Sequence, residues 1–407
     1  MSFTQGVSGL NAASSQLDTI GNNIANSQTV GFKSSRTEFA DIYAGAKAGL
    51  GVQVSGITQG FSQGSLETTN RDLDLAIDGG GFFRMNDGQQ ISYSRNGQFQ
   101  MDDEGFLVNG TGAQLTGYPV NDPDAADPLV LAGAEPQPLQ VPQGDLQASA
   151  TTSGAMTFNL DSNSEVPAVA FPGDPAQGFD LGNPDPDSFN NQTSLTVYDS
   201  QGNEQQVNLY FNKNANNDWT ANAINNGAQV GTTNLTFDAN GQVAGGGNLA
   251  LGFDPGTGAN PIDANINLSS ATQNSNDFLV KAANQDGYAA GSLTGISIAD
   301  NGDVVGNYSN NRSRALGRVA LADFANEQGL QPDGNNAWLA TGDSGPALLG
   351  SAGVGQLGAL RSSTLEQSNV DLASELVSMI VSQRNYQANA QTIKTQDQIL
   401  QTVVTLR

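Results

Sequence analysis

Chemistry in this 407-residue chain rests on carboxylates or on nothing: 40 Asp and Glu stand against 15 Lys and Arg, and there is neither a His nor a Cys. The common zinc, haem and transition-metal sites therefore lack their ligands. Ser-His-Asp and Cys-His machinery is excluded, and so is the usual proton shuttle at neutral pH. Paired carboxylates alone suffice for glycoside hydrolysis, but no pair stands out by spacing, and a lone Asp or Glu is ordinarily a solvated surface group. An EF-hand needs D-x-D-x-D-G closed by a Glu, a pattern met by neither Asp122 to Asp127 nor Asp300-Asn301-Gly302-Asp303. The first stretch, like Asp185 to Asp187, is interleaved with Pro or Ala and reads as exposed loop; the second reads as a hairpin turn. No phosphate loop is present, and Gly79-Gly80-Gly81 runs into Phe82-Phe83 instead of a helix, which suits a tight backbone path beside packed aromatics. The chain is expected to be no enzyme and to need no metal or cofactor.

The excess of acid gives a formal charge of -25. Such a surface repels nucleic acid and anionic lipid, so neither is expected as a partner. Charged residues make up only 14% of the chain while Gly numbers 49, a composition of many turns with a surface of Asn, Gln, Ser and Thr. Met1 to Ala25 has no basic n-region and no continuous apolar h-region, so no secretory signal is read there. No apolar run is long enough to span a membrane. Work outside the cell would require an export route that cleaves no signal.

Stepping along the chain, all 15 prolines lie between Pro119 and Pro346, and beyond Gly358 there is no glycine either. Both ends therefore read as helix. Near the carboxyl end Leu365, Leu372, Met379, Tyr386, Ile393 and Leu400 recur every seven residues, widened by Leu376 and Ile380; Asn369 and Asp371 are N-cap candidates. At the amino end Phe3, Leu10, Leu17 and Ile24 keep the same interval, with Val7 and Ile20 beside them. The expectation is that the ends pair as a coiled coil, seam against seam. The middle changes period: Leu73 to Ile77 and Ser194 to Tyr198 alternate as strands do, separated by turn dipeptides such as Asn96-Gly97, Asn109-Gly110, Asn240-Gly241 and Asn301-Gly302. From Pro119 to Asn311 the only lysines are Lys213 and Lys281, so most of the charge belongs to this all-β interior.

Five blocks in order resemble the flagellar rod and hook family of bacterial axial proteins. The first is Gly21-Asn22-Asn23-Ile24-Ala25-Asn26 leading into Thr29-Val30-Gly31-Phe32-Lys33. The second is Leu73 to Ile77 with Gly79 to Phe83, where Gly79, Gly81, Phe82 and Phe83 carry the match. Tyr93 to Phe99 and Leu115 to Tyr118 are the third and fourth. The fifth runs from Ser368-Asn369-Val370-Asp371-Leu372 through Met379-Ile380 to Gln383-Arg384-Asn385-Tyr386. The long segment between residues 120 and 285 carries no block, and its length resembles a hook subunit more than a rod subunit.

What the resemblance implies is a multidomain chain: long coiled-coil α-helical termini (1–30 with 364–407) lining a tube, a connector (31–70), an inner all-β domain (71–147 with 284–363) and an outer one (148–283). It implies a structural hook subunit, polymerising into a short curved tube that passes torque from rod to filament as a universal joint. The implied partners are further copies of itself, the rod, hook cap and hook–filament junction proteins, and the flagellar type III export apparatus, at an extracellular site on the flagellum. A distal rod subunit or a β-rich adhesin fibre are the alternatives.

Overall fold

The computed structural model describes residues 3–42, 51–123, 125, 128–172, 182–256 and 258–405. They form two compact units. The larger takes 1–143, 295–307 and 313–407, and the inserted one takes 144–294 with 308–312.

The larger unit holds both helices. Helix α1 spans Phe3–Ala25 and α2 spans Leu372–Thr405. Asp371 caps α2, its Oδ1 accepting from the N–H groups of Ala373 (2.9 Å) and Ser374 (3.2 Å), which satisfies donors that a helix start leaves open. The carboxyl helix therefore starts later than 364. Leu365 is no seam residue: it lies in the Thr364–Glu366 strand, 4% exposed, where the residues pair with Leu66–Thr68. The seven-residue interval from Leu365 to Leu372 is a coincidence of a buried strand position with a helix position.

The connector is itself partly β. Ser35–Asp41 pairs antiparallel with Val52–Gln59, and this ribbon lies on α1, where the Thr19 and Thr37 hydroxyls meet at 2.8 Å. The body of the unit is a sheet of 12 strands whose central run is Ser313–Asp323, Gln114–Tyr118, Phe82–Asn86, Ile91–Ser94, Ala337–Leu339 and Gln331–Gly334. Phe82, Phe324, Trp338 and Phe61 pack edge to face at 5.4–5.9 Å, a geometry aromatic quadrupoles favour. Gly79 and Gly81 hold φ of 124° and 109°. A Cβ on Gly79 would lie 2.9 Å from Gly358 Cα, so the triple glycine does serve a close backbone crossing beside aromatics.

The inserted unit is a sandwich of two five-stranded sheets. In the antiparallel sheet from Asn191–Tyr198 to Val243–Gly245, inward residues such as Leu195, Val207, Phe211 and Trp219 meet Leu249, Ile262 and Ile266 of the other sheet in one core. Alternation along these strands matches the two faces.

Candidate functional site

The two helices run antiparallel. A Cβ on Gly6 would lie 3.0 Å from Ile393 Cγ1 and one on Gly9 equally close to the Asn389 amide, while at the far end Asn23 Nδ2 donates to Glu375 Oε1 at 3.0 Å. Gly6 and Gly9 thus meet Ile393 and Asn389 at one end and Asn23 meets Glu375 at the other, so that part of the expected seam, Ile393, lies against a glycine of α1. On α1 Ile20 is buried, and Val7, Leu10, Leu17 and Ile24 are half-buried. Phe3 opens α1, its side chain lying outside the described residues. On α2 Met379 and Ile393 are half-buried, but Leu372 (41%), Leu376 (48%) and Leu400 (52%) are exposed, together with Val377, Ile380, Val381, Tyr386 and Ile399. These exposed apolar residues are left uncovered by α1.

Below the pair sits a knot that draws the sequence blocks together. Asn23, buried, donates to Ser35 O (2.8 Å) and accepts from Ser35 N (2.9 Å). Asn22 and Asn26 close the end of α1, Asn26 Nδ2 donating to Asn22 O at 3.0 Å. Gly31 turns the chain at φ 70°, where a Cβ would come within 2.6 Å of Asn96 N. Asn369 is not a cap. It accepts from Ser34 N at 2.8 Å, donates to Gly60 O (2.6 Å) and Ser62 O (3.0 Å), and its own N–H donates to Phe32 O at 3.4 Å. Phe82 and Phe83 are fully buried beneath, and Arg384 is exposed on α2.

At the centre of the knot is a buried ionic cluster. Glu366 accepts from Lys33 Nζ at 2.7 Å, from Arg95 Nη1 at 3.2 Å and from Gly64 N at 2.8 Å. Its carbonyl takes the Gly31 N–H at 2.8 Å. Lys33 also donates to Ser62 O, and the Arg95 guanidinium lies 5.3 Å from the Phe82 ring centre. Burial pushes the Lys33 ammonium below its ordinary range, with Glu366 partly offsetting it. Burial likewise lowers Arg95 and raises the nearby Glu327 carboxyl, which Arg95 partly offsets. The cluster is closed to solvent and joins chain segments; it offers no substrate access. Lys33 and Arg95 lie inside the first and third sequence blocks. With only 15 basic residues in the chain, two of them inside such blocks was the available signal.

Among the described residues no helix is long and apolar enough to cross a membrane, and no group of side chains could hold a metal ion. Asp300 to Asp303 is the turn it resembles, Gly302 N donating to Ala299 O; Asp122 to Asp127 lies partly outside the described residues.

Chain ends paired over a β body, with a β unit inserted in it, define a flagellar axial protein of the rod and hook class. Four family models match in chain order: flagella basal body rod protein (4–33), flagellar hook protein FlgE/F/G D1 domain (76–161), flagellar basal body protein FlaE D2 domain (159–288) and flagellar basal body rod FlgEFG protein C-terminal (361–406). The chain is 47% identical over 415 residues to the flagellar hook protein FlgE of Salmonella typhimurium, and 48% over 417 residues to that of Escherichia coli K12, with 100% of both chains covered in each case. Against the FlgE of Borreliella burgdorferi it is 34% identical over 451 residues, covering 100% of this chain and 99% of the other. The crystal structure of Helicobacter pylori flagellar hook protein FlgE2 matches with a TM-score of 0.55 at 16% identity, covering 74% of this chain and 100% of that one; the likeness there is one of fold. The chain belongs to the flagellar hook protein FlgE family.

Replacing Glu366 by Gln leaves two buried cations without an anion. Truncating a buried pair costs about 3–5 kcal/mol, so calorimetry should show the larger unit melting roughly ten degrees lower at two to four degrees per kcal/mol, with the inserted unit's transition unmoved. Glu327 gives a pH test. Its folded pKa is raised, so the folded state holds the proton more tightly and stability falls as pH rises from 4.5 through the folded value. Glu327→Gln should raise the melting temperature at pH 7, and the difference should vanish below pH 4.5.

Proposed function

We propose that the chain is the building unit of the flagellar hook, a curved tube that turns as a universal joint between rod and filament. The single observation carrying this is the set of exposed apolar residues on α2 that α1 leaves uncovered. A helix in a folded protein gains most of its stability from tertiary packing, and in a family of hook proteins the cover is the helices of further copies. Leu10, Leu17, Ile20, Ile24, Leu372, Leu376, Met379, Tyr386, Ile393 and Leu400 are the residues assigned to the tube lining, with Phe3 and Val7 at its end. The larger unit's β body forms the inner wall and the inserted unit an outer layer.

Bending while rotating requires contacts on one side of the tube to shorten as those opposite lengthen. Surfaces rich in Asn, Gln and Ser exchange one hydrogen bond for another through water at little cost, while the apolar lining keeps the tube continuous. The rod, cap and junction proteins and the type III export apparatus are the partners this role requires. A distal rod subunit is the second reading; a straight assembly would favour it.

Leu372→Asp tests the lining. The residue is exposed in the single chain, so the unfolding transitions should stay at their wild-type temperatures. In the polymer the carboxylate would be buried at a cost of several kcal/mol, and sedimentation should find no tubes. Normal tubes would remove this face from the interface. The inserted unit tests the layering. Ser149 and Tyr288 exchange both backbone hydrogen bonds at 3.0 Å, so an Asn-Gly turn can close the chain between them. The shortened protein should fold and polymerise, and electron microscopy should show straighter tubes; a product that folds but does not polymerise would refute the layered arrangement.

A further inference from the structure

A polar cleft of about 590 Å³ opens in the larger unit beside the knot. Its walls are the Ser94 to Gln100 stretch, the turn at Asn109 and the turn at Asn335-Asn336, and Arg71 is its one charged residue. Asn335 and Asn336 hold φ of 49° and 57°, the left-handed pair that a two-residue hairpin turn between Gly334 and Ala337 requires. The walls are fixed by hydrogen bonds made on one side of each residue. Ser94 Oγ donates to Asn336 O at 2.8 Å, and Asn336 Nδ2 to Val30 O at 3.0 Å. Asn96 Oδ1 accepts from Gln98 N at 3.0 Å, while Asn109 Oδ1 accepts from Thr111 N (3.0 Å) and Ala113 N (2.9 Å). The remaining amide groups are free. Among the described residues the Asn96 and Asn109 side chains donate to nothing, and those of Gln98, Gln100 and Asn335 make no hydrogen bond.

The cleft is neutral in a chain that is not. No carboxylate lines it, although the chain carries 40. Arg71 Nη1 lies 3.6 Å from Asp74 Oδ1, and the Asp74 side chain is buried while that of Arg71 is 60% exposed. At that distance the charges are matched without a hydrogen bond, so the guanidinium keeps its N–H groups to donate. There is no apolar wall either, since Phe99 is 1% exposed with its ring packed on Phe83 at 5.3 Å. An apolar ligand would miss the surface that such ligands bury, and so would the apolar side chains of a peptide. Nucleic acid would need several unmatched cations. Each amide offers a donor and an acceptor side by side. The ligand they match is one whose own donors and acceptors point in every direction, which is the chemistry of sugar hydroxyls.

We propose that this cleft binds a neutral saccharide, with Gln98, Gln100, Asn109 and Asn335 pairing with its hydroxyls and Arg71 donating to a further oxygen. The inference stands apart from the hook reading. The full chain, as monomer, is titrated with maltotriose, cellotriose and triacetylchitotriose. Binding is read by saturation transfer to the sugar protons and by shifts of the protein's side-chain amide signals. At least one trisaccharide should bind. Gln98 and Gln100 are exposed and have no side-chain hydrogen bond to lose, so Gln98→Ala with Gln100→Ala should leave the melting temperature unchanged. The double variant should bind that sugar at least about tenfold more weakly, as the loss of one or two net hydrogen bonds does. Asn335→Gly removes a third amide while keeping the left-handed turn and should weaken binding in the same way. Gln201→Ala, at an exposed position of the inserted unit, should bind as the wild type does. Tetraglycine amide offers main-chain donors and acceptors without hydroxyls and should bind at least about tenfold more weakly than the sugar. Equal binding of that peptide overturns the saccharide class. Sugar binding that survives both the double substitution and Asn335→Gly overturns the assignment to this cleft. No binding of any of the three sugars at about 10 mM, where a site with a millimolar Kd would be filled, overturns the proposal outright.

Discussion

The larger unit depends on one carboxylate. Glu366 takes Lys33, Arg95 and Gly64 on its side chain and Gly31 on its carbonyl, so three segments far apart in sequence close on a single residue. Along their length α1 and α2 meet through Gly6 against Ile393 and Gly9 against Asn389, and at the other end through Asn23 and Glu375. The ion cluster adds a fixed point at the base of the pair. A buried ion cluster gains little net stability, because desolvation offsets the attraction. It is strongly directional, however, since moving any one partner leaves the others charged and unpaired. The base of the helix pair is accordingly fixed in angle as well as in place.

α1 does not cover the whole of α2. Gly6 against Ile393, Gly9 against Asn389 and Asn23 reaching Glu375 hold one side of it, while Leu372, Leu376, Ile380 and Leu400 stay exposed in the single chain. Apolar residues left in water gain free energy when another surface covers them.

Much of this was legible in the sequence, in proportion to how local its cause is. An amino end without Pro, and a carboxyl end without Pro or Gly, gave α1 and the body of α2, because helix propensity is local. The start of α2 was misplaced because Leu365 keeps the seven-residue interval while being buried in a strand, and periodicity cannot separate two kinds of burial. The Leu75–Asp78 strand has Leu75, Ala76 and Ile77 all buried, so its apparent alternation misled about its surroundings though not about its type. Asn96-Gly97 resembles a hairpin turn, yet a Cβ on Gly97 would overlap Leu75 O: the glycine permits two strands to touch. The ionic knot was invisible because its members lie hundreds of residues apart, and composition shows only that basic residues are rare. Asn369 illustrates the same limit, since a helix cap and a clamp on Ser34 and Gly60 draw on the same amide.

The two units use polar chemistry in opposite ways, and this division bears on mechanics. In the larger unit scarce cations are buried against carboxylate, where a displacement breaks charge-assisted hydrogen bonds that water does not replace. In the inserted unit amides and hydroxyls bond one another across one sheet face, Asn222 to Asn212 and Thr232 to Asn222, neutral pairs in which a displaced partner costs less than a displaced charge. The stiffer of the two chemistries is the one that fixes the base of the helix pair.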